Sequence, residues 1–273
     1  MKNGVVCSLL LLCLLISASV HAASGWVLYD DFSSGIIDPG KWYGNESGDT
    51  GRETQRIIAS KRLSLSERCY GGTDSDIGGI YSEQKLHFNN PSTIKGIKAS
   101  VKVLKFETQG CEDNTYTTWV YARLFGRFFN TNPQGAESST NEIYAYLVVE
   151  GNSSFTDHED TARIIARVRQ CIDDNCTTYN TLFWKDLGSI KEGHSAILSL
   201  DWDNINHKFI FMNGNKKAVF NYDPKQYPDT LPPNFNNKML SITCGAPNCA
   251  TTPRPTGLMS ALFDNVYTKI LSP

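Results

Sequence analysis

In three segments near the middle of the chain, aromatic and guanidinium side chains recur at alternate positions. Aromatic rings offer flat surfaces for stacking, and guanidinium groups offer planar sets of N–H donors for hydroxyl and carboxylate oxygens. A sugar ring accepts both kinds of contact, so these positions predict a carbohydrate-binding surface. The candidate ligand-binding residues are Trp119, Tyr121, Arg123, Glu142, Tyr144, Tyr146, Arg167 and Arg169.

The alternation predicts that each of these segments is a β-strand with two different faces. Residues 118–125, 141–150 and 162–170 each place small aliphatic side chains at the positions between the candidates. Because side chains alternate across a strand, the aliphatic set would face a core and the candidates would share one open concave face. A slip of one residue would bury the arginines, so the register is specified. The alternative is that another layer of the same protein covers this face.

Turn residues divide the rest of the chain into many short predicted strands. Asn213 and Gly214 lie between residues 208–212 and 218–222, which is a strong hairpin signal. Helical periodicity is nearly absent, so we expect an all-β fold, a two-sheet antiparallel jelly-roll sandwich. Further predicted segments are a strand over 57–65, a long loop over 223–237 and a last strand over 259–270.

The amino-terminal segment is typical of a secretory signal peptide. Residues 1–22 combine Lys2, a long apolar run and the small-residue pattern that ends at Ala22. Residues 23–273 would form a single domain that is secreted, periplasmic or extracellular, with no later membrane span. The formal net charge of −2 does not favour nucleic acid as a partner.

Six cysteines remain after the predicted leader, and an even number in an exported chain predicts three disulfides. Two short turn-like segments, 171–176 and 244–249, carry a cysteine at each end, so we expect Cys171–Cys176 and Cys244–Cys249. Cys69 and Cys111 would then pair with each other. A zinc site is the alternative, but no CxxC spacing or histidine cluster supports it.

Five segments of the chain also form a family-like pattern. They are residues 29–33 (YDDFS), 37–42 (IDPGKW), 196–202 (AILSLDW), 208–214 (KFIFMNG) and 261–267 (ALFDNVY). Together they resemble the concanavalin A-like lectin/glucanase superfamily, which includes laminin-G-like modules, legume-type lectins and family 16 glycoside hydrolases. The resemblance implies two curved antiparallel sheets whose concave face binds glycans. It also implies that Trp202 packs inside and that the closing strand lies near the first.

The family 16 hydrolases carry their catalytic carboxylates in a Glu-x-Asp-x-x-Glu arrangement, and this chain departs from it. Glu142 matches the first position, but Tyr144 stands at the second and Leu147 at the third. Glu150 shares a face with Glu142, yet eight residues along a strand span roughly 26 Å. A retaining enzyme holds its two carboxyl groups ~5 Å apart. We therefore expect a non-catalytic, lectin-like domain that binds a polysaccharide or oligosaccharide, and the arginines favour an acidic one.

Two alternatives stay open. A polysaccharide lyase on the same fold would use Tyr121, Tyr144 or Tyr146 as acid and base, and Arg123 or Arg167 against a uronate carboxylate. The resemblance implies a glutamine–histidine strand motif for such lyases. The histidines lie instead in predicted loops or hairpin ends, namely His87, His158, His194 and His207. The other alternative is an adhesion protein that binds a protein partner through the same face.

No cofactor is predicted, apart from a structural calcium ion that the fold commonly carries. Asp31 and Asp264, with Asp30, would supply oxygen ligands where the first and last strands meet. Three Asn-x-Ser/Thr patterns are candidate glycosylation sites, at Asn45, Asn152 and Asn175.

Overall fold

The computed structural model describes residues 25–48, 51–73, 78–155 and 161–270, and these are almost entirely β. The predicted leader and His158 lie outside the described residues. The described residues include no helix long and apolar enough to cross a membrane. The strands are β1 Val27–Asp30, β2 Trp42–Gly48, β3 Arg52–Ala59, β4 Arg62–Tyr70, β5 Gly79–Phe88, β6 Ile94–Gln109, β7 Trp119–Asn130, β8 Glu142–Asn152, β9 Thr161–Cys171, β10 Tyr179–Lys191, β11 Ser195–Asp203, β12 Lys208–Asn213, β13 Lys216–Asn221, β14 Lys238–Pro247 and β15 Thr256–Ile270, with a 3-10 turn at Pro91–Thr93.

The strands form two antiparallel sheets. The back sheet has the order β13-β12-β11-β6-β15-β4-β3, with β1 paired to β15. The groove sheet has the order β10-β9-β8-β7-β14-β5-β2. This arrangement confirms the predicted two-sheet antiparallel jelly-roll sandwich. Strand β15 lies beside β1, as the family resemblance implies.

The core lies between the sheets and is built from the aliphatic faces predicted by alternation. Val120, Ala122 and Leu124 of β7 are fully buried in it. Trp202 also packs inside, with its ring 5.4 Å from that of Phe129. Burial of this apolar surface is the main favourable contribution to folding.

Two turns show where local sequence signals succeed and fail. The Asn213–Gly214 hairpin is confirmed, since Gly214 has φ +55 between β12 and β13. The predicted strand over 57–65 is wrong, because Ser60 and Lys61 turn with φ 51 and φ 60 and separate β3 from β4. Serine and lysine are not typical residues for positive φ, so the sequence offers no signal for this turn.

The disulfides correct two of the three predicted pairs. Cys171–Cys176 forms as expected, but Cys69 pairs with Cys244 and Cys111 with Cys249. Cys244 belongs to strand β14 rather than to a loop, and its side chain points into the core. There it meets Cys69 of β4 in the opposite sheet, with a Cα–Cα distance of 6.0 Å. This bridge therefore joins the back sheet to the groove sheet.

Candidate functional site

Strand pairing places the candidate residues on the outer face of the groove sheet, the face turned away from the back sheet. The register aligns the outward side chains in rows that cross the strands. One row runs through Tyr43, His87, Met239, Phe125, Tyr146 and Arg167, the next through Lys85, Ser241, Arg123, Val148 and Ile165, and a third through Glu83, Thr243, Tyr121, Glu150 and Arg163.

A groove of about 700 Å³ lies across this face. Six of the eight predicted residues line it, and the other two, Glu142 and Arg167, do not. The structure adds residues from β5, from β14 and from the loop that the Cys171–Cys176 bridge closes. The lining residues are Tyr81, Glu83, Lys85, His87, Trp119, Tyr121, Arg123, Phe125, Arg127, Tyr144, Tyr146, Arg169, Asn175, Cys176, Thr177, Tyr179, Asn237, Met239 and Thr243.

The floor of the groove is more closed than the sequence predicted. Tyr146 is only 1% exposed, and the guanidinium groups of Arg123, Arg167 and Arg169 lie 5.7, 5.7 and 5.3 Å from the centre of its ring. Tyr144 is also buried. These two rings therefore do not offer open stacking surfaces, because arginines of the same face cover Tyr146 and Tyr144 is only 6% exposed. The expectation of an uncovered aromatic face is wrong at these positions.

Three of the arginines are bound to glutamates of other strands of the same sheet. Arg123 pairs with Glu83, and its Nε also donates to Ser241 Oγ at 2.9 Å. Arg167 Nη2 donates to Glu150 Oε2 at 2.5 Å. Arg123 and Arg167 were expected to be open to a ligand, but their donors are committed to these carboxylates.

The third pair joins Arg127 to Glu142. Glu142 is fully buried, and its Oε1 accepts a hydrogen bond from the backbone N–H of Phe235 at 2.7 Å. This pair fixes the segment before β14 against the groove sheet. The expectation that Glu142 contacts a ligand is wrong, because the residue has no exposed surface.

The carboxylates of this face are not placed for glycoside hydrolysis. Burial alone would raise the pKa of Glu83, but Arg123 and Lys85 outweigh it and hold that pKa at about 2. Burial raises the pKa of Glu150, although Arg167 opposes the shift. The two residues share a row but lie three strands apart, ~14 Å at the usual strand spacing. Paired catalytic carboxyl groups need ~5 Å, or at most roughly 9.5 Å.

Arg169 differs from the other arginines of the groove. No carboxylate pairs with it among the described residues, and its buried Nε has no hydrogen-bond partner there. Its guanidinium stacks over the ring of Tyr179, 3.8 Å from the ring centre. Burial raises the pKa of Tyr144 to about 12, and the nearby Arg169 opposes that rise. Asn175 and Thr177 line the groove beside this corner.

The opposite end of the groove is aromatic. The Trp119 ring lies 4.5 Å from that of Tyr121 and 5.9 Å from that of Tyr81, which is 44% exposed. Gly245 allows this arrangement, since a Cβ there would come within 2.5 Å of the Trp119 indole. Trp119 is paired with Asn152, and Arg169 is paired with Tyr144, so the two ends are eight residues apart along the strands.

His87 lies in β5, one residue before the end of the strand, and faces the groove, so of its two predicted places, a loop or a hairpin end, the loop is wrong. Its ring stacks on that of Tyr43 at 4.6 Å, with 6° between the ring planes. Burial and the neighbouring Lys85 lower the pKa of His87 to about 4, so the imidazole is neutral at pH 7. Its Nδ1 is buried without a hydrogen-bond partner within the described residues.

The residues of β5 and β14 were missed for identifiable reasons. The core-facing side of β5 carries Ser82 and Gln84, which hide the alternation of a half-buried strand. Strand β14 has a regular apolar face, but the prediction that Cys244 lies in a loop left the end of this strand unrecognised. The signal that would have found β14 is the alternation of Leu240, Ile242 and Cys244 with small polar residues.

The three aspartates proposed for calcium have partners of their own. Asp30 accepts hydrogen bonds from Trp42 Nε1 at 2.7 Å and from the backbone N–H of Phe32 at 2.9 Å. Asp31 accepts from the backbone of its own turn, and Asp264 lies 3.4 Å from Arg62 Nε. The described residues contain no group of three His, Cys, Asp or Glu side chains that could hold a metal ion. The arrangement thus gives the calcium prediction no support.

Two of the predicted glycosylation sites have described side chains. Asn152 Oδ1 accepts hydrogen bonds from the backbone N–H and the hydroxyl of Ser154, both at 2.9 Å. Asn175 is exposed on the groove wall. The side chain of Asn45 lies outside the described residues. Use of these sites stays a prediction.

Comparison with known proteins finds similarity only at the level of structure. No protein-family model and no curated protein matches the chain. The catalytic domain of an endo-1,3-beta-glucanase (laminarinase) from Thermotoga petrophila RKU-1 is 13% identical with a TM-score of 0.46, over 89% of this chain and 98% of that one. The Emp47p carbohydrate recognition domain is 12% identical with a TM-score of 0.38, over 89% and 98%.

A family 7 alginate lyase, A1-II', is also similar, at 10% identity and a TM-score of 0.45 over 87% of this chain and 97% of that one. These structures are concanavalin A-like jelly rolls, the fold that the sequence resembles. With identities this low and TM-scores below 0.5, the fold of the present chain rests on its own strand order, and its function must be argued from its own groove.

Proposed function

We propose that this protein is an exported glycan-binding domain that holds a saccharide chain in the groove without cleaving it. The observation that carries the proposal is the groove itself, with an aromatic end and a cationic end on one sheet face. Three disulfides suit the oxidising environment outside the cytoplasm. The partner would be a polysaccharide or an oligosaccharide.

The aromatic end supplies stacking surface for sugar rings. Tyr81 is 44% exposed beside Trp119. Elsewhere on the same face, in the row that also holds Tyr146 and Arg167, Tyr43 is 47% exposed on its stack with His87. At the far edge of the sheet, Trp184 is 50% exposed and is paired with Arg167. Large aromatic side chains left open on one face, near polar groups, are typical of a binding surface.

Absence of catalysis is proposed because the described residues of the groove do not provide the pair of carboxyl groups that hydrolysis needs. Glu83, Glu142 and Glu150 are each bound to an arginine. The low pKa of Glu83 keeps it ionised, so it has no proton to give to a leaving group. A carboxylate of this kind holds the side chains of the groove in place and does not take part in a reaction.

Binding to a panel of polysaccharides, measured by affinity electrophoresis, tests the proposal. Each polysaccharide is also incubated with the protein and assayed for new reducing ends and for unsaturated products. We expect binding without turnover, and weaker binding by Trp119→Ala. Tyr267→Ala is the matched control, because Tyr267 belongs to the back sheet, where Lys98 Nζ lies 4.1 Å from its ring centre. If no polysaccharide binds, the groove is better explained as a surface for a protein partner.

A second candidate function is that of a polysaccharide lyase. The position of His87 in the groove favours it. A lyase needs a base to remove a proton beside a uronate carboxylate, and a neutral imidazole facing a groove meets that need. Lys85, two residues away on the same face, would bind the carboxylate in exchange for its contact with Glu83 Oε2 at 2.9 Å. Release of unsaturated product from a uronate polymer, abolished by His87→Asn, would establish the lyase and overturn the binding-only proposal.

A further inference from the structure

The positive charges of the groove differ in what already neutralises them. Arg123 and Lys85 share Glu83, with Lys85 Nζ at 2.9 Å from Glu83 Oε2. Arg127 is bound to the buried Glu142. Among the described cations that line the groove, Arg169 is the one without a paired carboxylate. A partly buried guanidinium without a counter-ion is destabilising unless a ligand supplies the missing charge.

The surroundings of Arg169 leave a place for an anion. The stack on Tyr179 fixes the plane of the guanidinium, and such a fixed fork loses little entropy when it binds a planar acceptor. Its neighbours across the strands are Tyr144 and Thr181, neither of which carries charge at pH 7. The exposed side chain of Asn175, whose amide nitrogen can donate hydrogen bonds, lines the groove at the same corner.

We infer that the bound glycan is acidic and that Arg169 binds its anionic group, a carboxylate or a sulfate ester. This inference rests on the proposed glycan-binding function and names the class of glycan. It also relocates the anion contact expected from the sequence, from Arg123 and Arg167 to Arg169. Charge-assisted bonds from a guanidinium to a carboxylate or sulfate are among the stronger polar contacts available to a protein.

The wall that confines this corner is the disulfide loop, and it is firmly held. Asp173 accepts hydrogen bonds from Thr177 and Thr178, and Asp174 accepts from Ser138 Oγ at 2.6 Å. The loop therefore stands as a fixed boundary beside Arg169. A fixed boundary favours one position of the anionic group along the chain of sugars.

The test compares polymers that differ only in charge. Polygalacturonate is paired with the same polymer after its carboxyl groups are reduced to alcohols, and dextran sulfate is paired with dextran. Affinities are measured by calorimetry for wild type, Arg169→Gln and Arg169→Lys. The control is Arg163→Gln, since Arg163 lies on the same strand and stacks on Phe155 at 4.0 Å but does not line the groove.

We expect wild type and Arg163→Gln to prefer one acidic polymer over its neutral partner by tenfold or more, roughly the effect of one charged hydrogen bond. Arg169→Gln should lose this preference and still bind the neutral polymer, and Arg169→Lys should retain part of it. The polymer that is preferred identifies carboxylate or sulfate as the ligand group.

The failures of the two proposals are distinguishable. Equal binding of charged and neutral polymers overturns the assignment of an acidic glycan and leaves glycan binding intact. A preference for acidic polymer that survives in Arg169→Gln overturns the role of Arg169. If none of the four polymers binds, and the wider polysaccharide panel also gives no binding, the proposed function itself fails. Thermal unfolding of each variant separates a loss of affinity from a loss of fold.

Discussion

Arg123 and Arg169 lie on the same face of the same sheet, yet their surroundings give them different roles. Arg123 lies across from Ser241 and reaches Glu83, so its charge is balanced inside the protein. Arg169 lies between Tyr144 and Thr181, and the register brings no carboxylate beside it. Residue type alone therefore does not identify a ligand-binding arginine. The neighbouring strands decide whether its donors are free.

Removal of the charge of Arg123 should have the largest effect on stability. Arg123→Gln should lower the free energy of unfolding by about 3 kcal/mol, because it leaves the buried Glu83 short of a partner. We place the effect at the lower end of the range for buried pairs, since Lys85 and Tyr81 still contact Glu83. Urea unfolding measures it. This expectation follows from the pair with Glu83, whereas the sequence predicted an Arg123 open to a ligand.

Arg169→Gln provides the other half of the comparison. Its loss of stability should stay below about 1 kcal/mol, because the contacts removed are with the uncharged side chains of Tyr179, Tyr146 and Tyr144 and not with a paired carboxylate. If Arg169→Gln destabilised the protein as much as Arg123→Gln, the two arginines would both be structural, and their distinction would be wrong.

The fold and six of the nineteen residues that line the groove could be predicted from the sequence, for one physical reason. The two-residue period of a strand is a local property, so the outward positions of β7, β8 and β9 follow from the types of adjacent residues in the sequence. Pairing between strands is not local. Glu83 is 40 residues from Arg123 in the chain, and no pattern around either residue connects them. The disulfide errors have the same origin, because Cys69 and Cys244 are 175 residues apart and belong to different sheets.

Substitution at the aromatic end should affect glycan binding rather than stability. Trp119→Ala should weaken glycan affinity by about 2 kcal/mol, the scale for burying one large apolar side chain. The loss should be the same for charged and neutral polymers, because stacking does not depend on the charge of the sugar. Calorimetry on the polymer pairs measures both. A loss confined to the acidic polymer would mean that Trp119 acts through the cationic end.

Gly245→Val serves as an independent check on that prediction. A Cβ at Gly245 would come within 2.5 Å of the indole, so the variant should displace the Trp119 ring without removing it. We expect it to reproduce most of the affinity loss of Trp119→Ala. Unchanged affinity in Gly245→Val would indicate that the position of the ring over β14 does not matter for binding.

The last expected effect concerns His87, whose charge depends on pH where that of the arginines does not. Its pKa falls from 6.5 to about 4 in the folded protein, chiefly through burial and then through Lys85. The unfolded chain therefore binds a proton first as the pH falls, and the stability that the neutral folded imidazole contributes is lost progressively between pH 6.5 and 4. Linkage gives about 1 kcal/mol between roughly pH 7.5 and 5.5.

Other titrating groups of the groove change how the free energy of unfolding depends on pH, but they do so equally in wild type and in a His87 variant. The pKa of Glu83, at about 2, makes its contribution fall away only below its ordinary value of 4.5. The raised pKa of Glu150 acts in the opposite direction to His87, since a carboxyl whose folded pKa is raised gains relative stability as the pH falls. Subtracting the urea-unfolding profile of His87→Gln from that of wild type cancels both. A difference that stays flat from about pH 7.5 to 5.5 would mean that solvent reaches the imidazole, and His87 would then be an open groove residue whose protonation a bound acidic glycan could favour.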